Sequence, residues 1–151
     1  MARLVTRRTA FLLALLVLSL VFAGWQWLRP YGWGADPTAR FRIVHAGVKR
    51  DHSYLWLDLY LKRSGGLEHD LTKPVVLRLA DGREIKPADT TIEEAEGQPG
   101  QAIGFRFWLE EKDFAGPLEL RLNDGSLRVR GGSGLPSIPV DSSRFFTHQN
   151  W

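Results

Sequence analysis

The chain has 151 residues, no cysteine and a formal charge of +3 from 20 basic and 17 acidic side chains. Without cysteine there are no disulfides, no thiolate chemistry, no thiol-bound metal and no residue to carry a lipoprotein anchor. Arg3, Arg7 and Arg8 precede the first long apolar run, and the rest carries 17 basic and 17 acidic groups. The basic balance therefore reflects the N-terminus and is no sign of nucleic-acid binding.

Residues 10–25, AFLLALLVLSLVFAGW, form that apolar run. A helix over residues 9–28 would be about 30 Å long, the thickness of a bilayer's hydrocarbon core. The positive-inside rule keeps residues 1–8 cytoplasmic and sends residues 29–151 across an inner or plasma membrane, into the periplasm or outside the cell. The same run also reads as a signal peptide cleaved after Ala23. Trp25, Trp27, Leu28 and Tyr31 speak for a retained anchor, because they extend the run and supply an interfacial aromatic belt. Arg29 and Pro30 end the helix, since proline has no amide proton and disfavours helix before it.

Residues 29–39, rich in glycine and proline, read as a juxtamembrane linker. Over residues 40–130 the apolar pattern has a period of two, which predicts a single β-sandwich domain. The first strand covers residues 40–49, with Phe41 and Ile43 on one face and a bulge near Gly47. The second, residues 53–62, is the clearest. Leu55, Leu57, Leu59 and Leu61 share the inward face, and Tyr54, Trp56, Asp58, Tyr60 and Lys62 share the outward one. Residues 74–79 make a third strand, and Asp81-Gly82 turns the chain into a fourth at 83–86. Residues 87–101 are acidic and turn-rich and predict an exposed loop, with a helical turn around 91–95. Residues 102–110 alternate again, with Ile103, Phe105, Phe107 and Leu109 inward and Arg106 and Trp108 outward. Leu118, Leu120 and Leu122 repeat the pattern. The turn Asn123-Asp124-Gly125-Ser126 leads to Leu127 and Val129. About seven strands at this spacing signal an all-β, antiparallel sandwich. Residues 131–151 read as a Gly/Pro-rich hinge and an aromatic C-terminal segment.

The order of strand, DG hairpin, acidic loop, aromatic strand and LELRLNDGSLRV resembles the small immunoglobulin-like domains that bacteria display behind one transmembrane helix. The resemblance covers about residues 40–130. It implies an immunoglobulin-like β-sandwich of about seven strands in the cell envelope, and no active site.

No catalytic constellation is visible. His45, His52, His69 and His148 form neither an i,i+4 pair nor an HExxH helix. His69-Asp70 reads as a solvated loop, as do Glu93, Glu94 and Glu96, which lack the Asp/Asn/Gly spacing of a calcium loop. Gly132-Ser133-Gly134 matches a nucleophile elbow only in composition. The expected catalytic, cofactor and metal sites are therefore none. Two features point to contact with a protein partner: the outward rings of Tyr54, Trp56, Tyr60 and Trp108, and the tail rings Phe145, Phe146 and Trp151. The tail either docks on its own domain or adds a strand to a partner. The chain is expected to be a non-catalytic, membrane-anchored accessory or scaffold protein of the envelope. A ligand- or glycan-binding module is the alternative, because rings also stack on sugars.

Overall fold

The computed structural model describes residues 2–28, 36–95, 98–147 and 151, without the side chains of 2–8, 26–28, 95, 98 and 99. The chain divides into two compact units, Met1–Tyr31 and Gly32–Trp151. In the first, helix α1 covers Ala2–Leu28, 27 residues or about 40 Å. Its apolar residues leave no polar stripe, and Phe11, Leu12, Leu18, Phe22 and Trp25 are exposed. Among the described residues no helix is long and apolar enough to cross a membrane. The described side chains of α1 end at Trp25, short of the ~20 consecutive apolar residues that a span requires. Arg29, Pro30, Tyr31 and the side chains of Trp27 and Leu28 lie outside the described part.

Among the described residues the second unit has nine strands: β1 Phe41–Asp51, β2 Tyr54–Arg63, β3 Val76–Arg78, β4 Glu84–Ile85, β5 Asp89–Ala95, β6 Gln98–Glu110, β7 Leu118–Leu122, β8 Gly125–Arg130 and β9 Ser143–Phe146. They form two antiparallel sheets. One has five strands in the order β5-β6-β2-β1-β9, and the other has four in the order β4-β3-β7-β8. The inward rows meet in one core. Leu55, Leu57, Leu59 and Leu61 of β2 lie beside Ile103, Phe105, Phe107 and Leu109 of β6, and Leu77, Leu118, Leu120, Leu122, Leu127 and Val129 come from the other sheet. Each fully buried leucine contributes on the order of 2 kcal/mol of transfer free energy, which makes the alternation the main determinant of the fold.

Three expectations are corrected. The bulge in β1 falls between Ile43 and His45, not at Gly47. Phe41 and Ile43 are inward at odd positions, whereas Ala46 and Val48 are inward at even ones, and one extra residue reconciles the two. Residues 87–101 are not a loop with a helical turn. Asp89–Ala95 is a strand, pairing Thr90, Thr91 and Ile92 with Phe105, Gly104 and Ile103. Its exposed glutamates disguise it, but charge is normal on an edge strand, where it blocks pairing with other chains. Among the described residues there are nine strands against the expected seven or so, and the second addition is β9. The C-terminal segment, expected to dock either on its own domain or on a partner, docks on its own: Ala46 pairs with Phe146 and Gly47 with Phe145 along the edge of β1.

Just before β1, Asp36 caps the 3-10 helix Pro37–Ala39. Its carboxylate accepts from the Thr38 amide and hydroxyl and from the Ser126 amide. These bonds hold it below the usual carboxylate range, the Thr38 hydroxyl contributing most. Gly125 permits this docking, because a Cβ there would lie 2.4 Å from the Ala39 nitrogen. Asn123 joins a third segment to the same corner. Its amide donates to the Ala39 carbonyl, and its oxygen accepts from the Asp70 amide and bonds His69 Nδ1.

Candidate interaction face

Paired residues of an antiparallel sheet share a face, so the register lays out the outward surface of the five-stranded sheet in rows. One row runs Trp108, Trp56, Lys49 and Ser143. The next runs Asp89, Arg106, Asp58, Gly47 and Phe145, and the third runs Thr91, Gly104, Tyr60 and His45. The opposite sheet differs. Its outward row carries Arg78, Glu119 and Arg128, with Arg121 bonded to Glu84. One face of the sandwich is aromatic and the other is charged.

Trp56 and Trp108 stack with ring centroids 5.4 Å apart, and Tyr54 meets Trp108 at 4.8 Å in a T-shaped contact. Trp108 remains 51% exposed and Tyr54 44%. Arg106 clasps Asp58 through two bonds of 2.6 and 3.0 Å, and its guanidinium lies 5.8 Å from the Trp56 ring. The Trp56 side chain also bonds Asp51 at the β1–β2 turn. Asp51 is held below the usual carboxylate range, first by its bond to His52 and then by that one. The rings are therefore fixed before any partner arrives, which lowers the entropy cost of binding. A hollow of about 230 Å³ opens beside them, lined by Tyr54, Trp108 and Asp113 among others.

A larger depression of about 340 Å³ lies in the second and third rows. His45 stacks on Tyr60 at 5.0 Å, and Phe145 stands edge-on to His45 at 6.1 Å. The Tyr60 hydroxyl donates to Glu93 at 2.9 Å, which raises its pKa above the ordinary phenol value.

The structure thus gathers Tyr54, Trp56, Tyr60, Trp108 and Phe145 on one face. The other two expected contact residues lie elsewhere. Phe146 is fully buried in the core, and half-buried Trp151 packs against it at 4.3 Å and against Phe114. Sequence reasoning placed Arg106 outward beside Trp108 but missed His45, Asp89 and Glu93 as neighbours of these rings. The signal was the parity change in β1 and the β-branched triplet in β5.

His69 and Asp70, singled out in the sequence as loop residues, have structural partners. His69 is tied to Asn123, and Asp70 caps the turn at Thr72. Glu93 and Glu94 are exposed residues of β5, where the register with β6 shifts, while Glu96 and His148 lie outside the described residues. Asp51, His52 and Asp141 place their ligand atoms within 4.8 Å of one another at the surface, a grouping the sequence spacing does not show. Asp51, by hydrogen bond, and then Asp141, by charge, raise the His52 pKa above 6.5. No protein-family model matches the chain, and neither a curated protein nor a solved structure matches it significantly.

Proposed function

We propose that this chain is a non-catalytic accessory or scaffold protein of the cell envelope. In this reading α1 is a retained single-pass anchor, with the N-terminus cytoplasmic and the sandwich in the periplasm or outside the cell. The length of α1, its uninterrupted apolar run over residues 10–25 and the arginines in its first turns, ahead of that run, support the anchor. The sandwich is read as immunoglobulin-like. Its first two strands, sixth and fifth share one sheet, while its third, seventh and eighth share the other, as in the ABED and CFG sheets of that fold.

The observation that carries the reading is the preassembled Tyr54–Trp108–Trp56 cluster, solvent-exposed on a face whose counterpart is charged. Aromatic residues dominate the energetics of protein interfaces, and a rigid exposed cluster of them is an uncommon surface for a monomer. Photo-crosslinking in native membranes tests it. A crosslinking residue at Lys49, in the row of the tryptophans, should give a discrete protein adduct, and one at Arg121 on the opposite sheet should give none. Equal labelling from both positions, or binding of the protein to isolated cell wall with no adduct at all, would overturn the reading. The latter result would favour the glycan module.

A further inference from the structure

We propose that the depression between Gly47 and Gly104 is the seat for one basic side chain, lysine or arginine, of the partner protein. The inference rests on the reading of this face as a contact surface and names the chemistry that the partner presents. The depression crosses β6, β2 and β1, and two outward positions that line it, Gly104 on β6 and Gly47 on β1, carry no side chain. At Gly104 a Cβ would stand in ordinary van der Waals contact with the Thr91 Cβ, 3.7 Å away. Gly47 is roofed at one side by the Phe145 ring, 3.2 Å from the same construction.

The walls select charge. Asp58, Asp89 and Glu93 line the depression against a single guanidinium, Arg106. That guanidinium is already committed to Asp58 through both of its bonds. Asp89 accepts one bond from the Thr90 amide and Glu93 one from the Tyr60 hydroxyl, so each carboxylate keeps lone pairs for a further donor. Lys49 and Lys62 point from the same face of the sheet but do not line the depression. Tyr60, His45 and Phe145 supply aromatic surface beside the carboxylates. A cation gains from both features, by charge-assisted hydrogen bonds and by the negative faces of the rings. An anion is repelled, and a neutral sugar gains from the rings but leaves the carboxylates unmatched. At about 340 Å³ the site is at the small end of ligand pockets, which suits one side chain and not an oligosaccharide.

The test uses the full chain in a non-ionic detergent and follows the amide resonances of Gly47 and Gly104. The probes are N-acetyl-lysinamide and N-acetyl-argininamide, with N-acetylglucosamine and acetate as comparisons. The cations should give saturable shifts that weaken when salt rises from about 50 to about 300 mM, because the charges are near the surface. Glu93→Gln and Asp89→Asn should each weaken binding by about threefold or more, as expected when a charge-assisted bond becomes a neutral one. Phe145→Ala, which leaves every charge in place, should also weaken it. Shifts given only by the sugar, no shifts with either cation, or cation binding unchanged in both carboxamide variants would overturn the seat. Crosslinking from position 49 that persists under any of these results would show that the contact reading stands without the seat. Cation binding with no crosslink would support the seat and contradict the contact reading.

Discussion

Phe145 and Phe146 are adjacent, chemically identical and on opposite faces of β9, so alanine substitutions at the two positions weigh the structure against itself. Phe146 is 0% exposed and packs edge-on against Trp151 at 4.3 Å. Truncating such a ring costs about 3–5 kcal/mol, a large share of the ~5–15 kcal/mol that holds a domain folded. For a unit of ~120 residues, one kcal/mol moves the melting temperature by about 4 °C, so Phe146→Ala should lower it by roughly 12–20 °C. Phe145 is 67% exposed, and its loss should cost about 1 kcal/mol or less, near 4 °C. The assay is thermal unfolding of the full chain in detergent, followed by near-ultraviolet circular dichroism so that the helix does not mask the sandwich. Equal shifts, or a larger shift for Phe145→Ala, would refute the pairing of β9 with β1, because a slip of one residue exchanges the two rings.

Leu57→Asp places a charge in the core and should abolish the unfolding transition, whereas Asp58→Ala, which removes a half-exposed partner of Arg106, should cost under about 1 kcal/mol; comparable melting of the two variants would mean that β2 is inverted. Asp36→Ala should cost about 1–2 kcal/mol through loss of the cap, and Gly125→Ala about 1–3 kcal/mol through the clash with the Ala39 backbone. Both act on one corner, so in denaturant titrations the double variant should lose less than the sum. The Asp36 pKa is lowered on folding, so its contribution is present above about pH 4 and disappears as pH falls through the lowered value. The gap between wild type and Asp36→Ala should therefore narrow below pH 4, and a gap that widens there would contradict the assignment. Proton-resonance titration of His52 should give a midpoint above 6.5 that falls in Asp51→Asn; a midpoint at or below 6.5 in the wild type would remove the proposed pairing.

Much of the sandwich is legible in the sequence because alternation and burial report the same physical fact. The leucine row of β2 and the Ile103–Leu109 row of β6 announce their inward faces, and the turns at Asp81-Gly82 and Asn123-Asp124 announce the hairpins. What the sequence hides is decided by pairing partners. Glu93 and Glu94 look like loop residues until β6 is known to offer a free edge, and Ser143–Phe146 is too short to declare itself without β1. The aromatic face was half legible. The outward positions of Tyr54, Trp56 and Trp108 follow from parity, but their stacking depends on the register of β2 against β6. The depression is less legible still, because Gly47, Gly104 and Phe145 come from three strands and are brought to one hollow only through three pairings, β9 with β1, β1 with β2 and β2 with β6. Phe146 and Trp151 could be read either as packing on their own domain or as contacts for a partner, and the pairing of β9 with β1 settles only the first. Aromatic composition alone leaves both open, while the fold has its own use for them in the core.

The claim that matters most is that the Tyr54–Trp108–Trp56 face holds a protein partner in the membrane. Trp108→Ala removes a half-exposed ring from that face and leaves the core untouched. Affinity purification of the full-length chain from native membranes, wild type beside Trp108→Ala, measures the claim directly. We expect a stoichiometric protein with the wild type, and its loss in the variant with the melting temperature changed by no more than about 4 °C, the equivalent of about 1 kcal/mol. A partner retained in full by Trp108→Ala, or a wild-type chain that brings down no protein while binding isolated cell wall, would contradict it.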